Sequence, residues 1–79
     1  MYYLAEARFK RLDTAGKEMD GYAYKIAWST SPDSVINQLR GDIAANEEPL
    51  GEVTYTSNGP FNSLLEAEAE SDKHVKGVE

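Results

Sequence analysis

Residues 21–28 read GYAYKIAW, and the alternation in this stretch decides what kind of domain the chain can form. In an extended chain Tyr22, Tyr24, Ile26 and Trp28 fall on one side, with Ala23, Lys25 and Ala27 on the other. Aromatic and β-branched side chains fit a pleated, half-buried surface, so the stretch predicts a strand. Upstream, Tyr3, Ala5, Ala7 and Phe9 alternate with Glu6, Arg8 and Lys10, predicting a second strand of the same period. Between them DTAGKEMDG (13–21) is polar and carries two glycines, which predicts a hairpin connection longer than the two-residue type. In an antiparallel pair of this kind, Phe9 and the Tyr22–Trp28 row are expected to face the core. Arg8, Lys10 and Lys25 are expected to share the opposite face.

Downstream, Ser31, Pro32 and Asp33 form a helix start: a side-chain cap, a proline at the first helical position and an acid at the positive dipole end. Val35, Ile36, Leu39 and Ile43 make one apolar stripe for packing on a sheet, and Pro49 and Gly51 end the segment. EVTYT (52–56) predicts a short third strand, and Asn58-Gly59-Pro60 a turn. In FNSLLEAEAESD (61–72), Phe61, Leu64 and Leu65 cluster on a helical wheel, while Glu68 and Asp72 take the positions where burial would have to continue. Glu and Ala favour helix over sheet, so a second helix is expected, anchored by Phe61, Leu64 and Leu65 and leaving its later turns in water. The expected fold is α+β: a small three-stranded sheet in the order β-β-α-β-α with both helices on one face. Residues 1–70 are expected to form one compact domain, with 71–79 a polar C-terminal tail or frayed helix end.

Seventy-nine residues allow one small core, and such a domain buries only about 60% of the surface its unfolded chain exposes. Dimerisation is one way to add buried area. There is no cysteine, which excludes disulfides and thiolate metal sites and suits a reducing cytosol. The start, MYYLAEARFKRLD, lacks a basic lead before an apolar run, and no stretch nears eighteen apolar residues. Neither export nor a membrane span is expected, and the localisation expected is cytoplasmic. The net charge of -6 is uneven: residues 1–40 hold six basic and five acidic side chains, residues 41–79 two basic and nine acidic. An acidic second half repels a phosphate backbone and favours a basic partner.

No catalytic pattern stands out, and no enzyme activity or cofactor is expected. Ser29, Ser31 and Ser34 belong to no nucleophile elbow, GDIAANEEPLG (41–51) is no phosphate loop, and His74 is the only histidine. With Glu70 four residues earlier it falls short of the three ligands a metal site needs, so an exposed tail histidine is expected. The residues expected to carry function are Glu47, Glu48, Glu66, Glu68, Glu70 and Asp72. They would form an acidic surface for a basic partner, for instance a protein that itself holds nucleic acid. The alternatives are a small nucleic-acid-binding accessory protein using Arg8, Lys10 and Lys25, and a structural homo-oligomer. In size, acidity and plan the chain is similar to small accessory proteins of mobile elements, some of which inhibit host machinery by binding it. No motif carries that likeness, and no residue role follows from it.

Overall fold

The computed structural model describes residues 1–78, and the surroundings of side chains 1–74. The elements are β1 (Tyr2–Leu12), β2 (Glu18–Trp28), α1 (Pro32–Asn46), β3 (Leu50–Phe61) and α2 (Leu64–Val78). They form an antiparallel three-stranded sheet in the order β2-β1-β3 with two helices, the expected α+β class and element order.

The hairpin loop is shorter than DTAGKEMDG suggested, because Asp13 closes it. Its Oδ1 accepts from the amides of Ala15 (2.8 Å) and Lys17 (2.9 Å), and Gly16 supplies the left-handed residue at φ 82°. β2 therefore begins at Glu18, and the pairing runs without a break from Tyr2↔Trp28 to Leu12↔Glu18.

This register corrects the expected faces. Phe9 lies opposite Gly21, and directly opposed residues share a side of the sheet. So Tyr3, Ala5, Ala7 and Phe9 face the same way as Gly21, Ala23, Lys25 and Ala27. The Tyr22–Trp28 row lies on the other face, with Leu4, Glu6 and Arg8. Lys25 is separated from Arg8 and Lys10 for the same reason. With side chains alternating at period two, one residue of register moves a whole row across the sheet.

α1 packs on the Ala5, Ala7, Phe9 face through Val35, Leu39 and Ile43, the expected stripe, with Ile36 at its margin. Arg40 stacks over the Tyr55 ring at 4.8 Å and Asp42 pairs with Lys25 at 3.2 Å, tying the helix to both outer strands. Ser31 stands at the N-cap in extended backbone but makes no side-chain cap; its own amide donates to Ser29 Oγ at 3.1 Å.

α2 packs on the opposite face, so the helices do not share one side. Its residues Ala67 and Ser71 are buried, and His74 reaches Glu6. The two helices make no contact with each other among the described residues. Of the expected apolar anchors, Phe61 is half-buried but belongs to β3, and Leu64 and Leu65 are 45% and 76% exposed. The small side chains at 67 and 71 set the helix phase, because they let its backbone approach a face already filled by Leu4 and Tyr22.

β3 is longer than EVTYT and takes in Asn58–Phe61, with register shifts between Tyr2 and Leu4 and between Arg8 and Lys10. It ends where Phe61 pairs with Tyr2, so α2 starts at the Tyr2/Trp28 end of the sheet. Ser63 opens α2, its Oγ accepting the Glu66 amide at 3.2 Å while the Glu66 carboxylate accepts the Asn62 amide at 3.1 Å.

Candidate functional site

The most specific polar arrangement in the molecule lies between α2 and the sheet. Glu6 sits in the central strand and is only 2% exposed. A carboxylate removed from water needs hydrogen-bond donors, and three converge on it from distant parts of the chain. The Tyr22 hydroxyl donates at 2.5 Å, Asn58 Nδ2 at 2.6 Å, and His74 Nδ1 lies 2.6–2.7 Å from both oxygens. On the other side of the ring, His74 Nε2 meets Glu70 at 3.0 Å. Glu70 also lies 3.8 Å from Lys73.

An ionised carboxylate only accepts, so an imidazole between two of them must donate from both nitrogens and carry its positive charge. The Glu6 hydrogen bond accordingly raises the His74 pKa, against an opposing effect of burial and with smaller help from Glu70. The Tyr22 hydroxyl is pushed far above its usual range, first by burial and then by the Glu6 carboxylate. Ser71, also buried on this face, has no hydrogen-bond partner for its Oγ among the described residues.

This geometry makes a latch holding α2 on the sheet. With both ring nitrogens engaged, His74 has none left to take a proton from a substrate. The expectation of an exposed tail histidine is thus overturned. Ser71 and His74, expected outside the compact domain, pack against the sheet, while Asp72 and Lys73 between them are exposed. The sequence does not show Glu6 and His74 as a pair, since 68 positions separate them. One signal is present: Tyr2, Tyr3, Leu4 and Ala5 are apolar at every position, which marks a strand covered on both faces.

The latch has a pH dependence whose sign follows from the raised pKa. His74 binds its proton more tightly in the folded state, so its contribution is complete below the unfolded value near 6.5 and fades as pH rises through the higher folded value. Urea midpoints followed by circular dichroism are expected to fall as pH rises through that interval, and His74→Gln should flatten the fall. An unchanged slope in His74→Gln would place the titrating group elsewhere.

The acidic positions do not form one surface. Glu47 and Glu48 lie in the loop leaving α1, beside Arg11 around an open depression of about 390 Å³. Glu66 is used in the helix cap and Glu70 in the latch. Glu68 and Asp72 are exposed on the outer side of α2, without an ion-pair or hydrogen-bond partner among the described residues. The alternative basic set is divided. Lys25 pairs with Asp42 on the α1 face, while Lys10 pairs with Asp20 at 2.5 Å and Arg8 stacks 5.0 Å from the Tyr22 centroid on the other.

Among the described residues no group of three or more His, Cys, Asp or Glu is placed to hold a metal, and no helix is long and apolar enough to cross a membrane. No protein-family model matches the chain, and neither a curated protein nor a solved structure matches it significantly, so the site's geometry alone carries the functional reading.

Proposed function

We propose that this protein is a non-catalytic binding module that occupies a basic protein surface with the outer side of α2. The observation that supports this reading is the exposure of Leu65, at 76%, on the same helical side as Glu68 and Asp72. An exposed leucine beside unpartnered carboxylates has the composition of a contact patch: an apolar anchor supplies affinity, and the charges steer the approach. The latch ties this helix to the sheet, and a helix ordered before binding loses less entropy on binding. A structural homo-oligomer and direct nucleic-acid binding remain the competing readings, the latter weakened because Arg8, Lys10 and Lys25 all have partners within the chain.

The test is affinity capture from the native host, followed by binding kinetics with the purified partner. Leu65→Ser is expected to weaken the complex about tenfold, chiefly through faster dissociation. Glu68→Gln with Asp72→Asn should slow association at low salt, and the difference should vanish at high salt. A partner whose binding is unaffected by all three changes would remove α2 from the interface.

A further inference from the structure

The two edges of the sheet are built differently. β3 carries Pro60, left-handed glycines at Gly51 and Gly59 and two register shifts, features that disturb a strand edge and discourage further pairing. β2 has none of these from Glu18 to Trp28 and keeps an unbroken register with β1. Three large apolar side chains on it are exposed: Met19 at 43%, Tyr24 at 50% and Trp28 at 64%.

The direction of its free backbone groups can be derived. The Ser29 amide donates to the Met1 carbonyl at 2.8 Å, and the Met1 amino group approaches the Ser29 carbonyl at 3.5 Å. Met1 and Ser29 are therefore a hydrogen-bonded pair, and such pairs recur at every second residue of an antiparallel ladder. The odd-numbered residues of β2 bond inward to β1. The even-numbered ones, Glu18, Asp20, Tyr22, Tyr24, Ile26 and Trp28, point their amides and carbonyls outward.

We propose that this outer edge of β2 is a homodimer surface, pairing antiparallel with β2 of a second copy to make one six-stranded sheet. A two-fold axis through Ala23 matches every residue of Glu18–Trp28 with one of the other copy, even-numbered with even-numbered, as the outward groups require. Tyr22 then lies opposite the other copy's Tyr24, twice, and Met19 opposite Ala27. Lys25 faces Gly21, Asp20 faces Ile26 and Glu18 faces Trp28, so no like charges meet. Registers centred on Asp20 or Lys25 would bring identical charges together and are disfavoured. This match of the strand with itself favours a second copy over an unrelated extended peptide. The added burial also suits a chain of 79 residues, whose own core is small.

The proposal is independent of α2 and differs from partner binding in its response to salt. Each copy carries a net charge of -6, so screening should strengthen the dimer, whereas steering toward a basic partner weakens. Sedimentation of the full chain from micromolar to millimolar concentration is expected to show mass rising toward twice 8.8 kDa, more readily at high salt. Amide hydrogen exchange should show Tyr22, Tyr24 and Ile26 gaining protection with concentration, while Ala23 and Lys25 are protected throughout. Tyr24→Lys, on an exposed side chain, should raise the dissociation constant about tenfold or more. A mass that stays at 8.8 kDa overturns the proposal, as does a dimer whose even-numbered β2 amides remain unprotected. The exchange measurement uses the unaltered chain, so its outcome is independent of whether any variant folds. Protection of the edge only in complex with a different protein would likewise reject the second copy as its occupant.

Discussion

Glu6→Ala is expected to lower folding stability by about 3–5 kcal/mol, the cost of removing one partner from a buried ion pair and leaving the other uncompensated. The variant strands His74, Asn58 Nδ2 and the Tyr22 hydroxyl together, all of which now donate to that carboxylate. A domain of this length has about 4–12 kcal/mol to lose, so the variant should be marginal. The loss has a local expression as well. Apart from Leu4, Ala67 and Ser71, little buried side chain holds α2 to its face, so exchange protection should fall in α2 before it falls in α1. If α2 carries the contact surface, binding should weaken with the latch even though no contact residue has changed.

A double-mutant cycle with His74→Ala separates the ion pair from the general cost of burial. Residues sharing one network couple by about 0.5–3 kcal/mol, so the double variant should lose less than the two single losses added together. Urea denaturation followed by circular dichroism measures all four proteins. A Glu6→Ala loss below about 1 kcal/mol would mean that the carboxylate is not held as described.

Gly21→Ala is expected to cost about 1–3 kcal/mol, the range for forcing extra atoms into a filled core. A Cβ at this position would stand 2.5 Å from Phe9 Cε2 and 2.9 Å from Cδ2, closer than real contacts allow. Phe9 is itself part of the core on the α1 face, so the ring must leave its present packing to admit the methyl. Phe9→Leu removes the ring atoms, and in that background the added methyl should cost less. A neutral or stabilising Gly21→Ala in thermal denaturation would show that Phe9 does not lie across Gly21.

These two positions also mark where local patterns stop being informative. β1, β2 and the α1 stripe are legible because their signals are local: period-two alternation in the strands, and Val35, Leu39 and Ile43 at helical spacing. The acidic α2 is legible as a helix for the same reason. Its phase is not. Leu64 and Leu65 draw the expected buried side toward themselves, whereas contact with the sheet selects Ala67 and Ser71, whose small size permits close approach. The expected acidic surface divides on the same ground, with Glu66 and Glu70 taken up by the cap and the latch.

The sequence by itself determined the element types, their order and the α+β class, since propensity and hydrophobic period act over a few residues. The tertiary structure decided which face each row occupies, that the helices lie on opposite sides, and that Glu6 and His74 meet. Those outcomes depend on hairpin parity, helix phase and the hydrogen bonding of a buried charge. Each is set by groups far apart in the chain, and no local pattern of side chains encodes them.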